Sequence, residues 1–159
     1  MADEQSFFTA AMELAAMDAL DVPALQLLFK LECSGEDFYN GLADRVGNED
    51  AAALLRRNGR EEVGHAQRVQ QAIAIKLGEP FEPTPEMLVR FPVPLPDTIS
   101  ADLLPAVVQG ELDGDAGYQR WADNEPDPEV ASLLRRNGRE ETQHGKRVTD
   151  ANAILAAAS

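Results

Sequence analysis

The chain has 159 residues, about the length of one folding unit, and 44% of them are apolar, enough for a core and too many for a disordered chain. Fourteen basic residues against 28 acidic ones leave a formal net charge of -14, which repels nucleic-acid phosphates and anionic membrane surfaces. The single cysteine, Cys33, excludes an internal disulfide framework and a four-cysteine zinc site, and no stretch approaches the roughly 20 apolar residues of a membrane span.

In chain order, the start Met1-Ala2-Asp3-Glu4 is acidic where a secretory leader would be basic, so a cytoplasmic protein is expected. Residues 5–18, QSFFTAAMELAAMD, have the apolar spacing of a short amphipathic helix. A long helix is predicted to start at Asp21 or Val22, just before Pro23, and to end at Gly47-Asn48, where Asn48 caps a second long helix. Apolar and selected polar residues recur at heptad-like steps along the pair: Leu25, Leu28, Glu32, Gly35, Tyr39, Leu42 and Val46, then Leu55, Asn58, Glu62, His65, Val69 and Ala72. Residues 78–100 hold Pro80, Pro83, Pro85, Pro92, Pro94 and Pro96, a density that breaks helices and favours an extended crossover.

Beyond the crossover the chain repeats itself. LLRRNGREEVGHAQRV at residues 54–69 returns 79 positions later, at 133–148, as LLRRNGREETQHGKRV. Twelve of the sixteen positions are identical, where composition alone would give about one. ECSGEDFY at residues 32–39 maps at the same offset onto ELDGDAGY at 111–118. The second hairpin therefore carries Leu104, Val107, Glu111, Gly114, Tyr118 and Trp121 on one helix. Leu134, Asn137, Glu141, His144, Val148 and Leu155 follow on the next, with Asp127 as cap and Pro128 at its first position. The expected architecture is all-α: one domain, 1–159, formed by a four-helix bundle of repeat 1 (about 21–77), the crossover and repeat 2 (about 101–157), with a short amino-terminal helix.

A length argument locates the polar residues. Glu32 lies about 15 residues before the Gly47-Asn48 turn and Glu62 about 14 after it, so at about 1.5 Å per residue the two are level. Glu111 and Glu141 are placed likewise about Pro126-Asp127. Packing the hairpins together then gathers Glu32, Glu62, His65, Glu111, Glu141 and His144 halfway along the bundle. Four carboxylates crowded in low dielectric cannot all stay ionised unless compensated, and two divalent cations balance them charge for charge. In Glu62-Val63-Gly64-His65 and Glu141-Thr142-Gln143-His144 the two ligand types are three residues apart, on one helix face. Tyr39 and Tyr118 suit both the core and a buried hydrogen bond. Asn58 and Asn137, one turn before Glu62 and Glu141, are expected to bond the backbone of a neighbouring helix. Cys33 reads as a small buried residue, and Arg56, Arg57, Arg60, Arg135, Arg136 and Arg139 as makers of surface ion pairs.

The pattern Glu32-x6-Tyr39, Glu62-x-x-His65, Glu111-x6-Tyr118, Glu141-x-x-His144 resembles the ferritin-like di-iron carboxylate proteins. The run from Glu61 to Arg68, EEVGHAQR, is most similar to their rubrerythrin branch. The resemblance covers residues 22–157 and implies a ferritin-like bundle holding two iron ions. It makes Glu62 and Glu141 bridging ligands, Glu32 and Glu111 terminal ligands, and gives one imidazole, His65 or His144, to each metal. It also implies that Tyr39 and Tyr118 hydrogen-bond ligand carboxylates and can supply a proton or an electron. The activity implied is oxidation of Fe(II) or reduction of dioxygen or hydrogen peroxide, with electrons from an external donor. Alternatives from the same ligand set are iron binding or storage without turnover, and a dimanganese, catalase-like or mixed Fe/Mn centre.

Two features depart from that branch. Gly114, matched by Gly35, stands where rubrerythrins carry a further glutamate, leaving Glu36 and Asp115 as reserve carboxylates one turn on. No CxxC pair is present to form a rubredoxin module. The apolar amino-terminal helix and the Pro-rich crossover suggest a homodimer.

Overall fold

A computed structural model describes residues 4–158. The acidic Met1-Ala2-Asp3 start, on which the compartment expectation rests, lies outside the described residues. Six helices follow one another: α1 (Phe7–Ala15), α2 (Val22–Arg45), α3 (Glu49–Leu77), α4 (Pro85–Leu88), α5 (Leu104–Asp123) and α6 (Pro128–Ala158). There is no strand among the described residues. None of these helices is long and apolar enough to cross a membrane.

The helix ends follow from local chemistry. Ser6 and Thr9 form a reciprocal capping box at the start of α1. Asp21 accepts from the amide of Ala24 at 2.9 Å, and Asn48 from that of Ala51 at 3.0 Å. Asp127 accepts from the amides of Glu129 and Val130, with Pro128 opening α6 where its missing N–H costs nothing. The α2–α3 turn requires Gly47 at φ 67°, and α3 ends on Gly78 at φ 72°, both in the left-handed region that favours glycine. α1 is shorter than the apolar pattern of 5–18 suggests. The crossover is less uniformly extended than its prolines imply, since Thr84 caps the single turn of α4.

The helices form a ferritin-like four-helix bundle. α2 packs on α3, α5 on α6, and α3 on α6, whereas α2 and α5 have no comparable backbone approach. The core is accordingly divided in two. One cluster joins Leu25, Leu28, Val69 and Ile73 of the first hairpin to Trp121, Val130 and Leu134 of the second. The other joins Leu42, Val46 and Leu55 to Leu104, Val148 and Ala151. The repeat explains the division, because each cluster takes the open end of one hairpin and the turn end of the other. Each fully buried Leu or Val contributes about 1.5–3 kcal/mol, which leaves the middle layer free to be polar.

The crossover and α1 are fastened over the α2/α5 side. The amide of Phe7 donates to the Pro92 carbonyl at 3.0 Å and that of Ile99 to the Arg45 carbonyl at 3.1 Å. The amide of Phe91 donates to Ser34 Oγ at 2.9 Å, and the Phe91 ring lies under the Lys30 ammonium at 4.4 Å. At the far end of α1, Trp121 Nε1 donates to the Met17 carbonyl at 2.8 Å and Asn124 Nδ2 to that of Asp18 at 2.9 Å.

Candidate metal centre

Glu32, Glu62, His65, Glu111, Glu141 and His144 meet in the layer between the two apolar clusters, and none is more than 9% exposed. One ligand atom from each of Glu62, His65, Glu141 and His144 falls within 4.8 Å of all the others. Glu32 and Glu111 flank this group. His65 Nδ1 lies 3.6 Å from Glu32, 3.4 Å from Glu62 and 3.6 Å from Glu141. His144 Nδ1 lies 3.2 Å from Glu62, 4.0 Å from Glu111 and 3.3 Å from Glu141. Each imidazole thus faces the glutamate of its own hairpin's first helix, and both face Glu62 and Glu141. The two rings stack at 5.0 Å between centroids, 13° from parallel.

The polar accounting is incomplete in a telling way. Both ring nitrogens of His65 and of His144, together with Glu141 Oε2, are fully buried and lack a hydrogen-bond partner of acceptable geometry. The imidazole–carboxylate separations of 3.2–4.0 Å are close enough for charge to be felt but do not align as hydrogen bonds. Groups of this kind cost about 1–3 kcal/mol each when left unmatched, and imidazole nitrogens converging with carboxylates are the donor set of a divalent transition metal.

The charges of these side chains also compensate one another. Burial raises Glu32 well above the usual carboxylate range, with the charge of Glu62 adding to it. Burial and the charge of Glu141 do the same to Glu111. Glu62 and Glu141 are also penalised by burial, but the two imidazoles outweigh this and hold both carboxyls below the usual range. Burial alone would lower the histidines. The surrounding carboxylates overcome it, holding His65 well above its ordinary value and raising His144 to about 9.

The tyrosines reach across the bundle. Tyr39 Oη donates to Glu111 Oε1, and Tyr118 Oη to Glu32 Oε1. Burial, and then the adjacent carboxylate, raises both phenols well above their ordinary value, so they remain donors at neutral pH. Asn58 Nδ2 donates to the His144 carbonyl and Asn137 Nδ2 to the His65 carbonyl, each at 3.1 Å, the backbone role expected of them. Asn137 Nδ2 also donates to Tyr118 Oη at 3.3 Å.

Glu36 and Asp115, the reserve carboxylates, are engaged outside the cluster. Glu36 is drawn to Arg90 at 3.4 Å, and Asp115 accepts from Thr142 at 2.6 Å and Gln119 at 2.9 Å. Cys33 is half-buried against the first apolar cluster. Arg56 pairs with Asp44 and Arg135 with Asp123 at the surface, contacts worth about 0–1 kcal/mol.

Sequence reasoning overlooked four supporting residues. Arg68 pairs in bidentate fashion with Glu140 and donates to Asn137 Oδ1 at 2.9 Å. Arg147 does the same with Glu61 and Asn58 Oδ1. Glu61 Oε2 in turn lies 3.4 Å from His144 Nε2. The signal was available, since Glu61/Glu140 and Arg68/Arg147 are identical pairs at the 79-residue offset.

The family model described as Rubrerythrin matches residues 24–152. The chain belongs to the rubrerythrin family. Among solved structures, the bacterioferritin-related protein of Bacteroides fragilis, described as a dodecameric thioferritin, is similar in fold. Its TM-score is 0.61 at 23% identity, over 87% of this chain and 89% of that one. No curated protein matches the chain significantly. Within the rubrerythrin family, this chain's buried Glu/His cluster suits a two-metal centre.

Proposed function

We propose that the protein is a di-iron oxidoreductase that oxidises Fe(II) or reduces dioxygen or hydrogen peroxide. The observation that carries this is the set of buried, unpartnered imidazole nitrogens among four carboxylates. In this reading Glu32 and His65 hold one metal, Glu111 and His144 the other, and Glu62 and Glu141 span both, as their distances to both imidazoles favour. When bound, the metal pair would supply two electrons to the oxidant, one from each ion. The carboxylates keep the centre near electroneutrality. Tyr39 and Tyr118 orient Glu111 and Glu32 and hold a proton on each phenolic oxygen beside them. In this reading an external donor returns the centre to its reduced state.

The test is anaerobic Fe(II) titration followed by mixing with dioxygen or peroxide. Two metals bound per chain and rapid, two-electron oxidant consumption are expected; one metal per chain, or two without oxidant consumption, would overturn the reading. Manganese in protein purified without added metal would favour the catalase-like alternative. Storage is the second reading, favoured by the likeness to a dodecameric ferritin-like protein. Native mass separates a homodimer from a shell.

A further inference from the structure

The centre has one closed side and one open side. Between α3 and α6 the Asn58, Asn137, Arg68 and Arg147 bonds knit the helices together. Between α2 and α5 lies a cavity of about 420 Å³, whose lining includes Glu32, Glu62, Glu111 and Glu141. That volume falls within the roughly 300–1,000 Å³ range of small-molecule sites.

The four glutamate side chains form the cavity's polar floor, and its walls are almost wholly apolar. Phe7, Phe38, Leu42, Ile99 and Val107 are among the residues that enclose it. Phe7 stacks on Phe38 at 5.0 Å, and the Phe7 amide bond to Pro92 and the Ile99 amide bond to Arg45 anchor the roof. Glycine keeps the space open. A Cβ on Gly110 would meet nothing within 4 Å, while Cβ atoms on Gly35 and Gly114 would project beside Glu62 and Glu141.

We propose that this chamber binds a neutral organic molecule with a hydrocarbon or aromatic body, its polar end directed at the four carboxylates. A hydrated cation occupying the chamber would find no polar group on these walls to replace its water. An anion meets the field of a chain of net charge -14 and the same apolar walls. A neutral apolar body suffers neither penalty and gains the burial energy of the walls. The inference names a substrate class for the centre proposed above and rests on that reading only for its chemical consequence, because occupancy needs no turnover.

The experiment is fluorescence titration of the purified full chain, iron-loaded and chelated, with neutral N-phenyl-1-naphthylamine. Saturable binding of one probe per chain is expected, with displacement by 1-decanol at least tenfold more effective than by decanoate on the chelated protein. Gly110→Phe and Val107→Trp, which fill the mouth and wall, should each weaken probe binding at least tenfold. Gly110→Phe removes a helical glycine and should leave the circular dichroism spectrum unchanged. Absence of saturable binding, or binding indifferent to both variants, would overturn the proposal. So would a probe signal lost as native mass shows two chains closing over the mouth, which would assign the face to a second copy. Probe binding that persists when Fe(II) titration fails would sink the di-iron reading and leave the chamber standing; the converse result would do the reverse.

Discussion

In the first hairpin, a Cβ on Gly35 would lie 3.0 Å from Cγ and Cδ of Glu62; in the second, a Cβ on Gly114 would lie 3.7 Å from Cγ of Glu141. The imidazoles differ too. His144 Nε2 has Glu61 at 3.4 Å, and His65 Nε2 has no carboxylate that near among the described residues. Duplication thus reproduces what helix register controls, the height and facing of each clustered Glu and His. It does not reproduce what non-repeated neighbours control, the closeness of packing. Phe38 corresponds to Gly117, Leu42 to Trp121 and Val63 to Thr142, and Thr142 alone of its pair can hold an aspartate.

The largest effect that bears on this comparison is loss of metal, which acts on both halves together. At a hundred times its dissociation constant, metal adds about 2.7 kcal/mol per site, so rigorous chelation should lower Tm by several degrees. An unchanged Tm with metal loss confirmed would remove the stabilising role. The pH dependence of the two forms should then have opposite signs. In the metal-free chain His65, His144, Glu32 and Glu111 all have raised values. Their contribution is complete below their unfolded values and is lost as pH rises, for His144 between about 6.5 and about 9. Glu62 and Glu141, held low, contribute above the ordinary carboxylate value and lose that contribution as pH falls below it. Metal affinity, by contrast, strengthens as pH rises and protons stop competing for imidazole. Melting curves from pH 6 to 9 should diverge between the forms, and parallel curves would contradict the charge arrangement described above.

His65→Ala and His144→Ala test equivalence directly. Each should lose one of two metals and nearly all two-electron turnover, measured by bound iron and oxidant consumption. A variant that kept both metals would make the half-sites unequal in kind as well as in packing.

Smaller effects should separate the halves. Asn58→Ala and Asn137→Ala each remove an amide bridging α3 and α6, costing about 1–3 kcal/mol in denaturant unfolding. Asn137→Ala should cost more, since that amide also supports Tyr118. Gly114→Ala should stabilise the protein by up to about 1 kcal/mol, because its Cβ meets only ordinary contact. Gly35→Ala gains the same propensity but pushes on Glu62, so its net gain should be smaller or reversed. Equal gains would show that Glu62 gives way freely.

The gathering of the six Glu and His residues was legible in the sequence because it depends on local quantities: heptad spacing, three-residue steps and two turns at matching distances. The Asn58 and Asn137 roles followed from the same spacing. The partner of Glu36 was not legible, because helical spacing fixes a side of the helix but not the group that competes for the side chain, here Arg90 from the crossover. Asp115 went likewise to Thr142. The tyrosine partners also lay beyond local arithmetic. Tyr39 is about 10.5 Å of helix rise from Glu32 and bonds Glu111, a choice made only when the hairpins pack. The path of the crossover, including α4, depends on similar long-range bonds, such as that from the Phe91 amide to Ser34.

Residues 78–103, which join α3 to α5, also govern the order of the assembly reaction. Each hairpin holds three of the six clustered Glu and His residues, so two separate hairpins would complete the cluster only by collision, at a rate and extent set by their concentration. Joined by this segment, the halves meet at an effective concentration of order millimolar however dilute the protein is. Integrity of the centre becomes a first-order property of one chain, preserved at the low protein levels where a two-piece centre would come apart.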